Sequence, residues 1–385
     1  MLILLIAFTV SAAITLLIVR SSKVHARHSG DRDFSKPQKF HIVPVPRIGG
    51  LGIVVALLGA AVAQHWISGS DVSHFSFVLL ACAAPAFLAG VIQDFTEAIT
   101  PRGRLIATAL SAVLAFAFMD AAIRHTAIPG LDWVVSFSAG ALFITVLAVA
   151  GIANAINIVD GFNGLASMCV VLMLTALAYV AYQVDDPLIG SLALAGIGAV
   201  LGFFLWNFPA GLIFLGDGGA YFLGFFVSEL SILLLQRNPG EVSPLFPLLV
   251  CVYPVFETLF SIYRRQFLRA VPPSMPDGIH LHSLIYRRVM RWAVGNRSAK
   301  ALTRRNSMTS PYLWLLCMFS IVPAVLFWNN TAVLAAFLAL FGFSYIGLYW
   351  RIVRFKSPRW LRFHVSSAAN VSSASNTSQA DNQRT

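Results

Sequence analysis

Residues 134–164 read VVSFSAGALFITVLAVAGIANAINIVDGFNG, an uncharged apolar segment that ends in a run of polar residues. The apolar part, Val134 to Ile152, approaches the roughly 20 residues that a helix needs to cross a bilayer. The run that follows holds three asparagines and an aspartate: Asn154, Asn157, Asp160 and Asn163. Carboxamides and carboxylates are costly beside hydrocarbon, and there they usually mark a functional site. The segment therefore predicts a membrane helix whose end carries chemistry.

The rest of the chain has the same apolar character. Hydrophobic residues make up 58% of the sequence and charged residues only 11%, and the mean hydropathy is +0.77. These values exclude an ordinary soluble domain and indicate an integral membrane protein, whose spans must be helical because lipid offers backbone groups no partner. We expect an all-α, polytopic membrane helix bundle of about 11 transmembrane helices, at 2–20, 48–66, 75–92, 105–123, 133–152, 165–183, 187–206, 218–236, 244–262, 311–328 and 331–350.

The distribution of basic residues predicts the orientation of these helices. All of the 27 Lys and Arg residues except Arg124 and Arg237 fall in alternate loops or the tail. Because basic residues stay on the cytoplasmic side, the amino terminus is predicted outside and the carboxyl terminus in the cytoplasm. The cytoplasmic segments are then 20–47, 93–104, 153–164, 207–217, 263–310 and the tail.

The predicted domain organisation is simple. Residues 1–350 are expected to form one integral membrane domain, followed by a basic and then disordered cytoplasmic tail at 351–385. The net charge of +11 is explained by topology and by contact with anionic membrane lipids, so we expect no nucleic-acid partner. The four cysteines lie in four different spans without metal-site spacing, which disfavours zinc.

The predicted topology brings the unusual polar residues to one face. Asp94 ends the third span, Asp217 lies between glycines before the eighth, and His280 and His282 lie in the long loop 263–310. Each has an ordinary alternative, because helix-end carboxylates and loop histidines are commonly only solvated. Their convergence on one rim favours chemistry at the lipid–water boundary over transport.

Three of the asparagine-run residues share a helix face. Asn154, Asn157 and Asp160 are spaced i, i+3, i+6, although hydrogen bonds between helices would also explain them. An oxygen-rich pocket of Asp217, Asp94 and Asn157 would suit Mg²⁺, a hard cation that takes few protein ligands beside substrate phosphates. We expect Mg²⁺ as the cofactor, with Mn²⁺ as a substitute. For Glu229 and Glu257, deep in their spans, a structural hydrogen bond is the favoured interpretation.

In order and position, these motifs resemble the polyprenyl-phosphate N-acetylhexosamine-1-phosphate transferases. The resemblance covers about residues 40–290, and eleven spans are similar to the hexosamine branch of that family. It rests on five motifs: Pro44-Val-Pro46-Arg47-Ile-Gly49-Gly50, the Asp94 region, the run Asn154 to Leu165, Phe214-Leu-Gly-Asp217-Gly, and His280-Leu-His282.

The resemblance implies transfer of an N-acetylhexosamine 1-phosphate from a UDP-N-acetylhexosamine to undecaprenyl phosphate, with release of UMP. That reaction would start a cell-surface polysaccharide such as O-antigen, at the bacterial inner membrane; a homodimer is left open. The roles it implies are catalytic for Asp94 and Asp217, metal-binding for Asn157 and Asp217, nucleotide-binding for Asn154, Asp160 and Asn163, and phosphate- or sugar-binding for His280, His282 and Arg287.

The chain departs from the family pattern at several positions. Gln93 stands where a first aspartate is usual, Asn163 replaces another aspartate, and Ala220 and Ser283 replace a serine and a histidine. We expect a divergent member that handles an N-acetylated hexosamine, with GlcNAc-like and deoxy sugars both open. Alternatives are a lipid-linked sugar transporter or flippase and a non-catalytic relative. A CDP-alcohol phosphotransferase is disfavoured, because Phe-Asn-Gly-Leu follows Asp160-Gly161.

Overall fold

The computed structural model describes residues 1–21, 45–68, 70–268, 279–289 and 299–354, and within them all regular structure is helical. The predicted tail from residue 355 onward lies outside the described residues. Fourteen α-helices are described: α1 (Leu2–Arg20), α2 (Gly49–Ser68), α3 (Ser70–Thr96), α4 (Pro101–Met119), α5 (Pro129–Val135), α6 (Ser138–Val159), α7 (Leu165–Gln183), α8 (Pro187–Asn207), α9 (Gly216–Arg237), α10 (Leu245–Val250), α11 (Val252–Tyr263), α12 (Leu281–Leu284), α13 (Ala299–Leu326) and α14 (Thr331–Val353). Short π-helical segments, Arg264–Leu268 and Ile285–Val289, continue α11 and α12.

The described helices confirm a polytopic membrane bundle. Ten of them are long and apolar enough to cross a bilayer. The other predicted span, 244–262, is present as two short helices that meet at Cys251. Pro254 explains the interruption, because proline has no N–H to donate to the carbonyl of Val250 and its ring crowds that carbonyl.

Helix α9 lies at the centre of the bundle. In its most apolar stretch 94% of the residues are buried, against 17% for α1 and for α14. Both outer helices therefore turn most of their surface toward the expected lipid. The central position of α9 places its amino end, with Asp217 in the first turn, among the ends of several neighbouring helices.

Polar contacts at the other end of α9 define the opposite face of the bundle. Gln236 donates a hydrogen bond of 2.7 Å to Asp120, which follows α4, and Arg237 pairs at 2.7 Å with Asp186, which precedes α8. The end of α4, the start of α8 and the end of α9 therefore lie at one face of the bundle, and the start of α9 lies at the other, as the predicted topology requires. The orientation of these faces relative to the cell stays a prediction.

Glycines let the amino half of α9 approach its neighbours at backbone distance. A Cβ atom on Gly50 of α2 would lie 2.4 Å from the Cα atom of Gly219, and one on Gly90 of α3 would lie 2.4 Å from that of Gly218. Small residues are the usual means by which membrane helices pack this closely. Any side chain at these positions would push α2 or α3 away from the start of α9.

The chain before α2 and the chain before α9 are joined by backbone hydrogen bonds. Phe214 donates to the carbonyl of Pro46, and Gly49 and Gly50 donate to the carbonyls of Phe214 and Leu215, all at 2.8–2.9 Å. Gly216, at φ +77°, ends this pairing and turns the chain into α9. The pairing fixes Arg47 beside the first turn of α9.

The turn after α6 is held by the first turns of α13, which begins at Ala299 rather than near residue 311 as predicted. The Asn163 backbone N–H donates to Asn306 at 2.8 Å, its side-chain amide donates to Ser307 at 3.1 Å, and Ser310 donates to its carbonyl at 2.6 Å. Polar residues therefore form the inner surface of this part of α13, which is why hydropathy alone missed its start.

Glu229 provides a test of packing inside α9. It is fully buried, and neither of its carboxyl oxygens has a hydrogen-bond partner among the described residues. Because an unsatisfied buried polar group costs about 1–3 kcal/mol, we expect Glu229→Leu to raise the thermal midpoint of the detergent-purified protein. Glu257→Leu serves as the control and should lower the midpoint, since the Glu257 carboxylate has partners. Equal losses in both variants would contradict the description of Glu229.

Asn163 provides a second test. Its amide nitrogen faces the Ser307 hydroxyl at 3.1 Å and the Pro209 carbonyl, which can only accept, at 3.4 Å. An aspartate there would place a carboxylate oxygen against that carbonyl, so we expect Asn163→Asp to cost about 1–3 kcal/mol in thermal denaturation. Asn330→Asp is the matched control, because Asn330 only accepts, from the Val333 N–H at the start of α14. An Asn163→Asp protein as stable as the Asn330→Asp protein would contradict the assignment.

Candidate functional site

The centre of the candidate site is the first turn of α9, which is capped by a carboxylate from α3. Asp94 accepts the Asp217 N–H at 2.9 Å and the Gly218 N–H at 3.0 Å, and its side chain is only 2% exposed. These N–H groups have no partner inside the helix, and the positive end of the helix dipole favours a negative charge there. Asp94 thus fixes the position of Asp217.

The Asp217 carboxylate lies between two arginines. Arg104, from the first turn of α4, forms an ion pair with its Oδ2 atom, and Arg47 lies 3.8 Å from its Oδ1 atom. Arg47 is also 3.9 Å from Asp94. The two buried or half-buried carboxylates are therefore balanced by two guanidinium groups, which present planar donors suited to phosphate.

A line of contacts connects Asp217 to the asparagine run. The Arg104 guanidinium lies over the Tyr221 ring, 5.5 Å from its centroid, one turn after Asp217. The Tyr221 hydroxyl donates to the side-chain oxygen of Asn154 at 3.2 Å. Tyr221 and Arg104 therefore couple Asn154 of α6 to the first turn of α9.

Asp160, at the end of α6, faces the same charges. Burial raises the pKa of the Asp160 carboxyl to about 7; the nearby Asp217 carboxylate adds to the rise and Arg47 opposes it. One turn earlier, Asn157 is half-buried, and its side chain makes no hydrogen bond within the described residues. Asn154, Asn157 and Asp160 thus occupy one face of α6, as the spacing predicted.

The residues present fit a hard cation, although they do not form a closed metal cage. Among the described residues, no group of three His, Cys, Asp or Glu side chains could hold a metal ion by itself. Mg²⁺ characteristically takes one or two carboxylates and completes its shell with water and substrate phosphates. Asp217 and Asn157 remain the predicted ligands, and their donor atoms are oxygens of the kind that Mg²⁺ prefers.

The two histidines pack against the turn that carries Asp160. Their rings are stacked with centroids 5.0 Å apart, and the His282 ring meets the Phe162 ring edge-on at 5.5 Å. The position of a Cβ on Gly161 would be 3.7 Å from His282. The structure thus brings His280 and His282 to the end of α6, as the predicted topology required.

The other two predicted site residues are placed differently. Arg287 follows the histidines on the same helical segment and is exposed. Asn163 is buried and directs its side chain to α13 and Pro209. Nucleotide binding by Asn163 and phosphate binding by Arg287 stay predictions.

Sequence reasoning did not assign Arg47, Arg104 or Tyr221 to the site. Arg47 lies within one of the motifs that carry the resemblance, whereas Arg104 has only the basic charge expected of a cytoplasmic loop. Gln93, the departure at the third span, accepts the Ile99 N–H at 2.8 Å and so shapes the loop that leads to Arg104. The signal that could have identified these arginines was in the sequence. The predicted topology places Arg47 and Arg104 in loops on the same face as Asp217, which is flanked by glycines.

Comparison with known proteins gives matches over the same region. The profile of glycosyl transferase family 4 matches residues 76–235. A Bacillus subtilis (strain 168) protein described as a probable undecaprenyl-phosphate N-acetylglucosaminyl 1-phosphate transferase is 31% identical over 297 residues, covering 76% of this chain and 78% of the relative. Undecaprenyl-phosphate alpha-N-acetylglucosaminyl 1-phosphate transferases of Thermotoga maritima and Yersinia pestis are 28% and 26% identical, covering 73% and 83% of this chain and 81% and 84% of the relatives.

The matched region contains the capped first turn of α9, the Arg104 ion pair and the polar end of α6, and the Bacillus relative is matched over most of its length. The chain therefore belongs to glycosyl transferase family 4, among the polyprenyl-phosphate N-acetylhexosamine-1-phosphate transferases.

Proposed function

We propose that this protein is an enzyme that transfers N-acetylhexosamine 1-phosphate from a UDP-sugar to undecaprenyl phosphate, giving undecaprenyl-diphospho-sugar and UMP. The observation that carries the proposal is Asp217, fixed on the first turn of α9 by Asp94 and flanked by Arg47 and Arg104. The names of the relatives favour UDP-N-acetylglucosamine as donor. The product would begin a cell-surface polysaccharide such as O-antigen.

The proposed reaction exchanges one phosphorus–oxygen bond for another. An oxygen of the lipid phosphate attacks the β-phosphorus of the UDP-sugar, and the bond from that phosphorus to the bridging oxygen breaks, so UMP leaves. With a second pKa near ~6, a phosphate monoester is mostly ionised at pH 7 and needs no base. The protein's task is then to hold two anions in line, which agrees with the presence of Gln93 in place of a carboxylate.

The chain's own residues would divide that task. The guanidinium groups of Arg47 and Arg104 would donate paired hydrogen bonds to the negatively charged diphosphate. Asp217 and Asn157 would bind Mg²⁺, or Mn²⁺ in its place, which when bound supplies charge neutralisation for the diphosphate and the departing UMP. Asp94 keeps Asp217 oriented by capping α9.

The remaining residues would bind the rest of the donor. Asn154 and Asp160 would line the nucleotide pocket together with the Asn163 turn, and His280, His282 and Arg287 would contact the diphosphate or the sugar. The site face would then be cytoplasmic, because UDP-sugars are made in the cytoplasm and the basic loops lie on that side.

A transporter or flippase is the second candidate, and the non-catalytic relative is the third. A transport path needs polar groups through the membrane depth, whereas Asp94, Arg104 and Asp217 each lie within one turn of a helix end. Purified protein should release UMP from UDP-N-acetylglucosamine only when undecaprenyl phosphate and Mg²⁺ are both present. Movement of a lipid-linked sugar across a vesicle membrane without UMP release would favour the transporter instead, and the absence of both activities would favour the non-catalytic relative.

Asp217→Asn tests the centre of the site. The substitution keeps the side-chain shape and the backbone contacts with Asp94 but removes the carboxylate, so we expect UMP release to fall by about 10³-fold or more while the thermal midpoint is retained. Asp120→Asn is the control, because Asp120 forms ion-pair and hydrogen-bond contacts at the opposite face and should leave turnover unchanged. Normal turnover in Asp217→Asn would overturn the metal assignment.

Arg104→Ala tests whether the newly found arginine acts on the phosphates. Losing one charged donor at a developing charge costs about 10²–10³-fold in turnover, and Arg104→Lys should recover only part of it because ammonium cannot form the planar fork. Steady-state UMP release measures both variants, with Arg124→Ala, an exposed residue at the opposite face, as control. Equal activity of Arg104→Ala and Arg124→Ala would mean that Arg104 contributes to the orientation of the helices in the membrane and not to turnover.

A further inference from the structure

A buried carboxylate on α11 binds the segment that carries the two histidines. Glu257 is 1% exposed, and its Oε1 atom accepts the Leu281 N–H at 2.9 Å and lies 3.1 Å from the Nδ1 atom of His280. Its Oε2 atom accepts the Tyr345 hydroxyl, from α14, at 2.7 Å. One carboxylate thus joins α11, α14 and the start of α12.

These contacts determine how the His280 ring is presented. A carboxylate can only accept hydrogen bonds, so the proton of His280 toward Glu257 is assigned to Nδ1. That assignment leaves the Nε2 side of the ring directed away from Glu257. The ring is stacked on His282, which in turn contacts the turn that carries Asp160.

A second set of contacts strengthens the same attachment. Arg264, at the end of α11, donates to the carbonyl of Ile279 and to the Tyr349 hydroxyl, each at 3.0 Å. Tyr349 lies one turn after Tyr345 on α14. The same pair of helices therefore holds residues 279–282 through Arg264 and Tyr349 and through Glu257 and Tyr345, and the Glu257 carboxylate reaches the His280 ring.

We propose that Glu257 is a positioning residue that acts through His280 and keeps the His280–His282 pair directed at the substrate phosphates. The inference rests on the proposed transferase function, because the histidines matter in this way only if a phosphorylated donor binds beside them. Glu229, the other buried glutamate of the bundle, has no hydrogen-bond partner in the part of the chain that the structure describes and provides a matched comparison.

Glu257→Gln is the informative variant. The amide oxygen can still accept from Leu281 and His280, and the amide nitrogen can donate to the Tyr345 oxygen, so the fold should persist while the charge is lost. We expect turnover to fall by about 10- to 100-fold, the range seen when the outer hydrogen-bond partner of a metal-binding histidine is removed. Glu229→Gln should keep wild-type turnover, and both proteins should keep monodisperse elution in detergent.

A double-mutant cycle separates positioning from a general structural effect. If Glu257 acts through His280, Glu257→Gln should cause no further loss of turnover in a His280→Ala background. A loss of the same size in both backgrounds would overturn the proposal, and so would wild-type turnover of Glu257→Gln.

If the protein turns over no UDP-sugar, that result refutes the proposed function and leaves the role of Glu257 to be tested by a chemical measurement. Carbethoxylation by diethyl pyrocarbonate, followed by peptide mass spectrometry, reports the access to each histidine ring, with the exposed His125 as internal reference. Because charge-assisted hydrogen bonds are roughly twice as strong as neutral ones, modification of His280 should rise in Glu257→Gln and not in Glu229→Gln. An unchanged His280 rate in Glu257→Gln would overturn the positioning role.

Discussion

The close approach of three helices at glycines is the constraint on which the site depends. Gly50 and Gly90 let α2 and α3 reach the backbone of α9 at Gly219 and Gly218. That approach brings Asp94 within hydrogen-bond distance of the first N–H groups of α9, and the capping bonds in turn hold Asp217. A methyl group at Gly90 would push α3 away from α9 and release the cap, and one at Gly50 would push α2 away from the same turn. The chemistry of the site is therefore set by backbone packing inside the bundle.

The charges around this packing lie at the edge of the membrane region. The Asp217 carboxylate repels those of Asp94 and Asp160, Arg47 offsets both effects, and Arg104 pairs with Asp217. Burial and repulsion together explain why the pKa of Asp160 is raised to about 7. Such an arrangement is costly for a resting protein but suited to a ligand that brings both negative phosphates and a cation, because each incoming charge meets a partner of opposite sign.

The sequence predicted the helical class, and it predicted that most of the candidate site residues lie on one face, for reasons that are physical. Hydropathy locates long spans, and alternation of loops places Asp94, Asp160, Asp217 and the histidines on one face. Hydropathy could not predict that Pro254 divides the span 244–262, since the length and polarity of that segment are those of an ordinary membrane helix. The partners of Arg104 could not be predicted either, because side-chain pairing depends on how the loop after α3 folds. The start of α13 was missed because the residues that contact Asn163 there are polar and lower the hydropathy of that segment.

In the proposed reaction the β-phosphate of the donor moves with the sugar to the lipid. UDP-N-acetylglucosamine labelled with ³²P in its β-phosphate, incubated with purified protein, undecaprenyl phosphate and Mg²⁺, measures this directly. We expect the label to enter the organic-phase lipid while unlabelled UMP appears in equal amount. Label that stays in UDP while the sugar alone reaches the lipid would contradict it, because then the bond broken would be that between the sugar and its phosphate.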